Sequence, residues 1–404
     1  MPIVSACMLE CLTTWHTSGR GSGLVDLAVS SVSLAVYSRV QHSLPAAKEA
    51  VRTYSQLLHA AQSQIIDAGS QAYAGAASDA TLLTIIMMAT YETVMHKPAN
   101  VRDPLRDISG TQHSWSHHIG ALTVLRHWLN RTDNVTTPAY DNIIRQGRRG
   151  IMRFAFMMRH PLPTWLQDGS LFGEHGLDLE FDRVFFQVVN LRSAFTDLYG
   201  HSTPIAINNE EAMALLVEAT RLEGIIDQWQ AKVPSEWAPT AVNTEGESGH
   251  NFFSSIINTY KKPIYAAIWL QYFAVRVIIK SMLLKLCQWV PENQWQCNVH
   301  QSQLTTYVER FANDIPFALG RVITKIVDTQ GSADSARSAD ILEPDQGVQP
   351  ALALFAAWPL TIVSNLDTLA SEQRSWFRTQ LAQLGRVLGD GALECAAKGG
   401  GEWD

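Results

Sequence analysis

Apolar residues recur at helical spacing along almost the whole chain, and that periodicity limits what it can fold into more than any other feature. Phe377, Leu381, Leu384 and Leu388 step by four, three and four residues, which lines them along one helical face. Leu57, Leu58, Ala61, Ile65 and Ile66 repeat the pattern, as do Leu215, Leu216, Ala219, Leu222, Ile225, Ile226 and Trp229. The alternation that would mark half-buried strands is almost absent. Val322–Val327 could pass for a strand, but it sits inside a longer helical pattern. The expectation is an all-α protein, a single large irregular array of about a dozen helices over residues 1–398, with a frayed, disordered tail at 399–404.

Local signals divide the array. Asp79 suits the N-cap of a helix ending near His96, and Ser302 the cap of one running from about Leu304 to Ala312. Loops are expected at Pro98–Gly110, His160–Thr164, Gly169–Gly176, Pro234–His250 and Gly331–Gln349, where Pro, Gly, Ser and charged residues cluster. No fixed-period repeat is visible, which argues against a regular solenoid.

Composition narrows the class. Hydrophobic residues make up 46% and charged residues 17% of the 404, the balance of a chain with a large interior. Lys plus Arg number 31 against 38 Asp plus Glu, a net charge of −7, so the chain lacks the positive field that neutralises nucleic-acid phosphates. The five cysteines, Cys7, Cys11, Cys287, Cys297 and Cys395, are too few and too scattered for a disulfide framework and read as free thiols in a reducing compartment. Met1–Trp15 has no basic start and carries Glu10, so it reads as a first helix and not a signal peptide. Ile264–Ile279 is the most membrane-like stretch, but a spanning helix needs about 20 mostly apolar residues. Gln271 and Arg276 interrupt it and Lys280 and Lys285 follow, which predicts a core helix in a soluble protein with no membrane partner.

Chemical motifs are sparse. His113 and His117 lie one helical turn apart beside His118, a spacing able to hold zinc, and Glu92 or His96 could complete a site only if the fold joins the two helices. No His-Glu-x-x-His or Cys-x-x-Cys spacing accompanies them, so no metal is expected. A nucleophile elbow, a phosphate-binding glycine loop and a dinucleotide fingerprint are all missing, which predicts no cofactor and assigns no catalytic residue. Glu210–Glu211 and the pair Asp178 and Glu180 read as solvated helix faces. Arg145-Gln-Gly-Arg-Arg-Gly150 with Arg153 is the best basic patch. It reads as a helix surface with ordinary salt bridges; phosphate contact and nuclear import are the alternatives. Phe154–Met158 and Trp269–Phe273 read as core, although a helical array can also enclose an apolar cavity for a metabolite.

Two segments carry the most recognisable text: Asp79 through Tyr91-Glu92, then Ser114-Trp115-Ser-His117-His118-Ile-Gly120-Ala121 through Arg126. Together they resemble the regulatory domain of fungal zinc-cluster transcription factors. There an aspartate opens an apolar helix ending in Tyr-Glu, and a Trp-x-x-His-x-x-Gly-Ala helix ending in arginine follows. Leu12-Thr-Thr-Trp15, Tyr54-Ser-Gln-Leu-Leu58, Ile315-Pro316-Phe-Ala-Leu-Gly320, Trp358-Pro359-Leu360 and the closing stretch Trp376–Ala396 are similar to further family segments in the same order, so the resemblance covers about Leu9 to Ala396. It implies an all-α fold and regulation of transcription of fungal metabolic or secondary-metabolite gene clusters in the nucleus, with the cytoplasm as the alternative location.

Members of that family carry six N-terminal cysteines that bind two zinc ions. This chain has only Cys7 and Cys11 before residue 280, which predicts no direct DNA binding by it. Partners are then expected to be other transcription factors or a second copy of the chain, with a small-molecule effector as a further candidate. Three accounts stay open: a missing upstream exon, a regulator acting through a partner, or a domain recruited to catalysis. The alternative function is accordingly an enzyme-like protein of a biosynthetic pathway that uses a cavity in the helical domain. The candidate pocket consists of Tyr91, Glu92, Trp115, His117, His118 and Arg126.

Overall fold

The computed structural model describes residues 8–17, 21–68, 77–96, 112–130, 138–201, 209–244, 252–290, 295–326, 337–341 and 350–396. Among these residues are thirteen α-helices and four short strands, and the fold is all-α. By compactness the chain divides into two units. One holds Ser5–Met158, Pro163–His175 and Leu381–Asp404, and the other is chiefly Gly176–Gln380.

The first unit contains α1 (Met8–Thr17), α2 (Gly23–Val40), α3 (Leu44–Ala68), α4 (Ala77–Met95), α5 (Gln112–Leu129) and α6 (Pro138–Met158). α2 packs on α3 and α4, and α4 packs in turn on α5 and α6. The small side chains of α2 permit this: Val25, Ala28, Ser31, Ala35 and Ser38 form its buried seam. Ser31 and Ser38 bury their hydroxyls by donating to Ala28 O at 2.8 Å and Ala35 O at 2.7 Å, so neither leaves a polar group unsatisfied. Leu57, Met87 and Met88 fill the space above Ala28, and Ala50, Tyr91 and Val94 that above Ala35.

The second unit is built around α9 (Pro263–Trp289), a 27-residue helix whose apolar window is buried in full. α7 (Gly176–His201), α8 (Asn209–Ala231), α10 (Cys297–Ala318) and α11 (Pro350–Val363) pack on it. α9 and α2 are both long and apolar enough to cross a membrane by length and composition, but the burial of α9 on every side makes it a core helix here. α7 and α8 are pinned where Trp229 Nε1 donates to Leu177 O at 3.0 Å and the Trp229 ring meets Phe181. α12 (Ser371–Leu388) runs across the division at Gln380, and α13 (Gly391–Ala396) packs on α4 in the first unit. Phe377, Leu381 and Leu384 of α12 are fully buried, as the spacing predicts.

Three local expectations are corrected. α10 begins at Cys297 and ends at Ala318, so Ser302 lies inside it and accepts from Thr306 one turn on. α4 begins at Ala77, which puts Asp79 in its first turn, fully buried, and not at its cap. Val322–Ile326 is a strand, β3, paired antiparallel with β4 (Arg337–Ile341). The helix stops because Gly320 adopts a left-handed φ of 75°, its N–H bonded to Phe317 O, after which a β-branched run favours extended backbone. A second ribbon, β1 (Thr240–Asn243) with β2 (Ile256–Thr259), occupies part of the expected 234–250 loop and packs on α10. The expected loop at Pro98–Gly110 and the tail at 399–404 lie outside the described residues.

Candidate functional site

The two signature segments become α4 and α5, and the fold brings them together at Glu92. Tyr91 is buried and stacks on Tyr54 of α3, with ring centroids 3.9 Å apart. One residue further on, Glu92 Oε1 accepts the Tyr54 hydroxyl at 2.9 Å and lies 2.9 Å from His117 Nε2 of α5. A single carboxylate oxygen thus joins three helices. His117 and Glu92 keep 14% and 19% of their side-chain surface, so the pair is mostly, but not wholly, shielded from water. Burial holds the Tyr54 phenol well above its ordinary range, and the neighbouring Glu92 carboxylate raises it further. Tyr54 is therefore a neutral donor at every physiological pH. Burial raises Tyr91 as well.

The other candidate residues separate. His118 stacks its ring on Phe154 of α6, 3.3 Å between centroids, and serves α5–α6 packing. Arg126 is on the exposed side of α5. The side chain of Trp115 lies outside the described residues. Tyr91, Glu92 and His117 therefore meet at a joint between helices, with His118 on a different contact and Arg126 facing solvent. Among the described residues no group of three or more His, Cys, Asp or Glu is placed to hold a metal ion. Glu92→Leu is expected to cost about 1–3 kcal/mol in urea unfolding, the range for stranding polar partners that are mostly buried. Tyr54→Phe on that background should add almost nothing; a full further loss would show that the hydroxyl is not bonded to Glu92.

Of the basic patch on α6, Arg148 and Arg149 are buried and not on the surface, while Arg145 and Arg153 are partly exposed. Arg148 is fully buried, donates from Nε to Leu166 O at 3.0 Å, and places its guanidinium 5.5 Å over the Phe172 ring. Arg149 pairs with Glu174 at 2.6 Å with both side chains buried. The segment after α6 folds back in short 3-10 turns at Thr164–Leu166 and Gly169–Phe172, which supply Leu166 and Phe172, with Glu174 two residues after the second. Arginine is suited to such burial because its planar fork stacks and bonds in several directions at once.

The second unit holds a polar seam that sequence reasoning missed. Glu223, Asp227 and Gln230 line one flank of α8, facing Tyr272, Arg276 and Lys280 of α9 rung by rung. Lys280 Nζ reaches Glu223 Oε2 at 2.6 Å, Arg276 Nη1 reaches Asp227 Oδ1 at 2.8 Å, and the Tyr272 hydroxyl donates to Gln230 Oε1 at 2.5 Å. α10 closes the other side: the Tyr307 hydroxyl accepts from Arg276 Nη2, and His300 Nδ1 sits 3.4 Å from Lys280 Nζ. Lys280 keeps 3% and Glu223 12% of their side-chain surface, whereas Asp227 keeps 56%, so the seam opens to water at the Asp227 end.

Burial lowers Lys280, against the pull of Glu223, and burial beside Lys280 keeps His300 neutral to lower pH than usual. Burial alone would lower Arg276 too, but Tyr272, Tyr307 and Glu223 outweigh it and hold the guanidinium charged. Two of the residues that broke the membrane-like stretch in sequence, Arg276 and Lys280, are therefore partners in this seam, whereas Gln271 donates to Ala267 O and Lys285 pairs with Asp367. The signal that could have found it is the i, i+4, i+8 spacing of Tyr272, Arg276 and Lys280 set against Glu223, Asp227 and Gln230.

Comparison of the chain with models of known families, with characterised proteins and with solved structures finds no match in any of the three.

Proposed function

We propose that this chain is a regulatory body of the fungal zinc-cluster transcription-factor type, acting in the nucleus on metabolic or secondary-metabolite gene clusters through protein partners or a small effector. The observation that carries the reading is the placement of the resembling segments. Tyr54, Tyr91 with Glu92, and His118 come from three separate motifs, and each lands at a joint between neighbouring helices of one bundle. Pro316 and Trp358-Pro359-Leu360 likewise lie within α10 and α11, with Pro316 and Leu360 buried. Motif residues that serve packing suit a domain whose task is to hold and transmit a conformation, whereas a catalytic family would place its motif residues around a reacting group.

A net charge of −7 is in keeping with DNA recognition supplied by a partner. Chromatin occupancy of the tagged chain, measured with and without a zinc-cluster partner, tests the reading. Occupancy is expected with the partner present and lost when it is deleted. Absence from promoters under both conditions would sink it.

A further inference from the structure

The β1–β2 ribbon is tied to α10 through one carboxyl. Asp314 is fully buried, and its Oδ1 accepts from Asn258 Nδ2 and from the Tyr260 hydroxyl, both at 2.7 Å. Asn258 lies within β2 and Tyr260 directly follows it, and both are buried. Beside this tie Ser254 Oγ sits 2.8 Å from the Asn313 amide, and the Tyr260 ring packs 5.6 Å from that of Phe317. The outer strand β1 is exposed at three of its four residues, whereas β2 buries Ile257 and the adjoining Tyr260, so the docked face of the ribbon combines this apolar contact with the carboxyl tie.

We propose that the ribbon is a proton-linked latch: it docks on α10 while the Asp314 carboxyl is protonated and is released as that carboxyl ionises. In the acid form Oδ1 remains the carbonyl acceptor for both donors and the proton resides on Oδ2. In the ionised form Oδ2 carries charge in a site where it is buried and accepts no hydrogen bond. Asp314 also stands near the C-terminal end of α10, where the helix dipole opposes a negative charge.

Among the described residues the groups acting on the carboxyl are Asn258 of β2, Tyr260 directly after that strand, and Arg310 one turn back on α10. Arg310 is exposed and screened. α9, α11, α12 and β3, which also lie against α10, place no charged or titratable group on the Asp314 carboxyl among those residues. Burial accordingly pushes the carboxyl up to about 7, against the opposing pulls of Tyr260, Asn258 and Arg310. Release of β2 exposes the acid to water and returns it to an ordinary value.

The direction follows from linkage. A group raised in the docked state favours docking fully below its free value, and that preference is lost as pH climbs to the docked value. The opening constant should therefore rise about tenfold per pH unit across the middle of the interval between 4 and 7, and level off above it. Amide hydrogen exchange of the full chain at pH 5, 6, 7 and 8, corrected for intrinsic rates, reads this directly, with α9 amides as internal reference.

The expected result is ribbon protection that falls across the interval while α9 protection holds. Asp314→Asn, which keeps the acceptor, should abolish the slope. Tyr260→Phe removes a donor that favours the ionised form and should carry the slope to higher pH. A flat wild-type profile, a slope that survives in Asp314→Asn, or α9 amides changing in parallel would overturn the latch. If Asp314→Asn does not fold, Tyr260→Phe decides, and an unmoved slope counts against the proposal.

Discussion

Glu223→Ala is expected to destabilise the second unit by about 3–5 kcal/mol, the loss typical when one partner of a buried ion pair is removed. Lys280 is 3% exposed in its side chain, so without Glu223 its ammonium would have to lose its proton or draw solvent inward. The pair itself is a weak source of stability, because burying both charges offsets most of their attraction. That asymmetry yields a sharper test. The double variant Glu223→Leu with Lys280→Met should recover most of the loss of the Glu223→Leu single variant, giving a coupling energy well above 1 kcal/mol in a double-mutant cycle by urea unfolding. Additive losses would mean that the two side chains do not depend on each other, and the seam as described would be wrong.

Gly391→Ala is expected to lower stability by about 1–3 kcal/mol, toward the upper end because the obstruction is backbone. A Cβ at this position would stand 2.4 Å from His96 O and 2.8 Å from Val94 O, the carbonyls at the end of α4. Carbonyl oxygens on a packed helix end cannot swing aside as a flexible side chain can, so α13 must lift away from α4. Gly150→Ala supplies the control, since nothing lies within 4 Å of a Cβ there and the site is exposed in the middle of α6. That change should stabilise by about 0.5–1 kcal/mol through helix propensity and reduced freedom of the unfolded chain. Opposite signs in thermal unfolding of the two variants are the predicted outcome. Equal and positive shifts would show that α13 does not approach α4 so closely.

The same contrast explains what the sequence concealed. A four-three-four spacing such as Phe377, Leu381, Leu384 and Leu388 can be satisfied by one local conformation, so it is legible without neighbours. Val322–Ile326 is ambiguous by itself, because a β-branched run becomes a strand only when a partner such as Arg337–Ile341 completes its hydrogen bonds. The helix starts several residues before Ser302, because a serine is favoured at a cap but also tolerated at an exposed interior position such as this one. Arg148 and Arg149 looked like surface because buried arginine needs acceptors and a ring that are distant in sequence.

Of the candidate site, the joining of Glu92 and His117 was conditional on the two helices meeting, and they do. Arg126 was grouped with them by motif proximity alone. Its helical position, nine residues beyond His117, turns it outward.

Unaided, the residue pattern determined an all-α chain with a large apolar interior, since periodicity and composition act through each helix separately. Tertiary structure alone decided which polar side chains entered that interior: Glu223 beside Lys280, Asp314 beneath Tyr260, Arg149 against Glu174. The reason is physical. Apolar burial is non-directional and can be read from any one face, whereas a buried charge is tolerated only where a partner from elsewhere in the chain arrives within hydrogen-bonding distance.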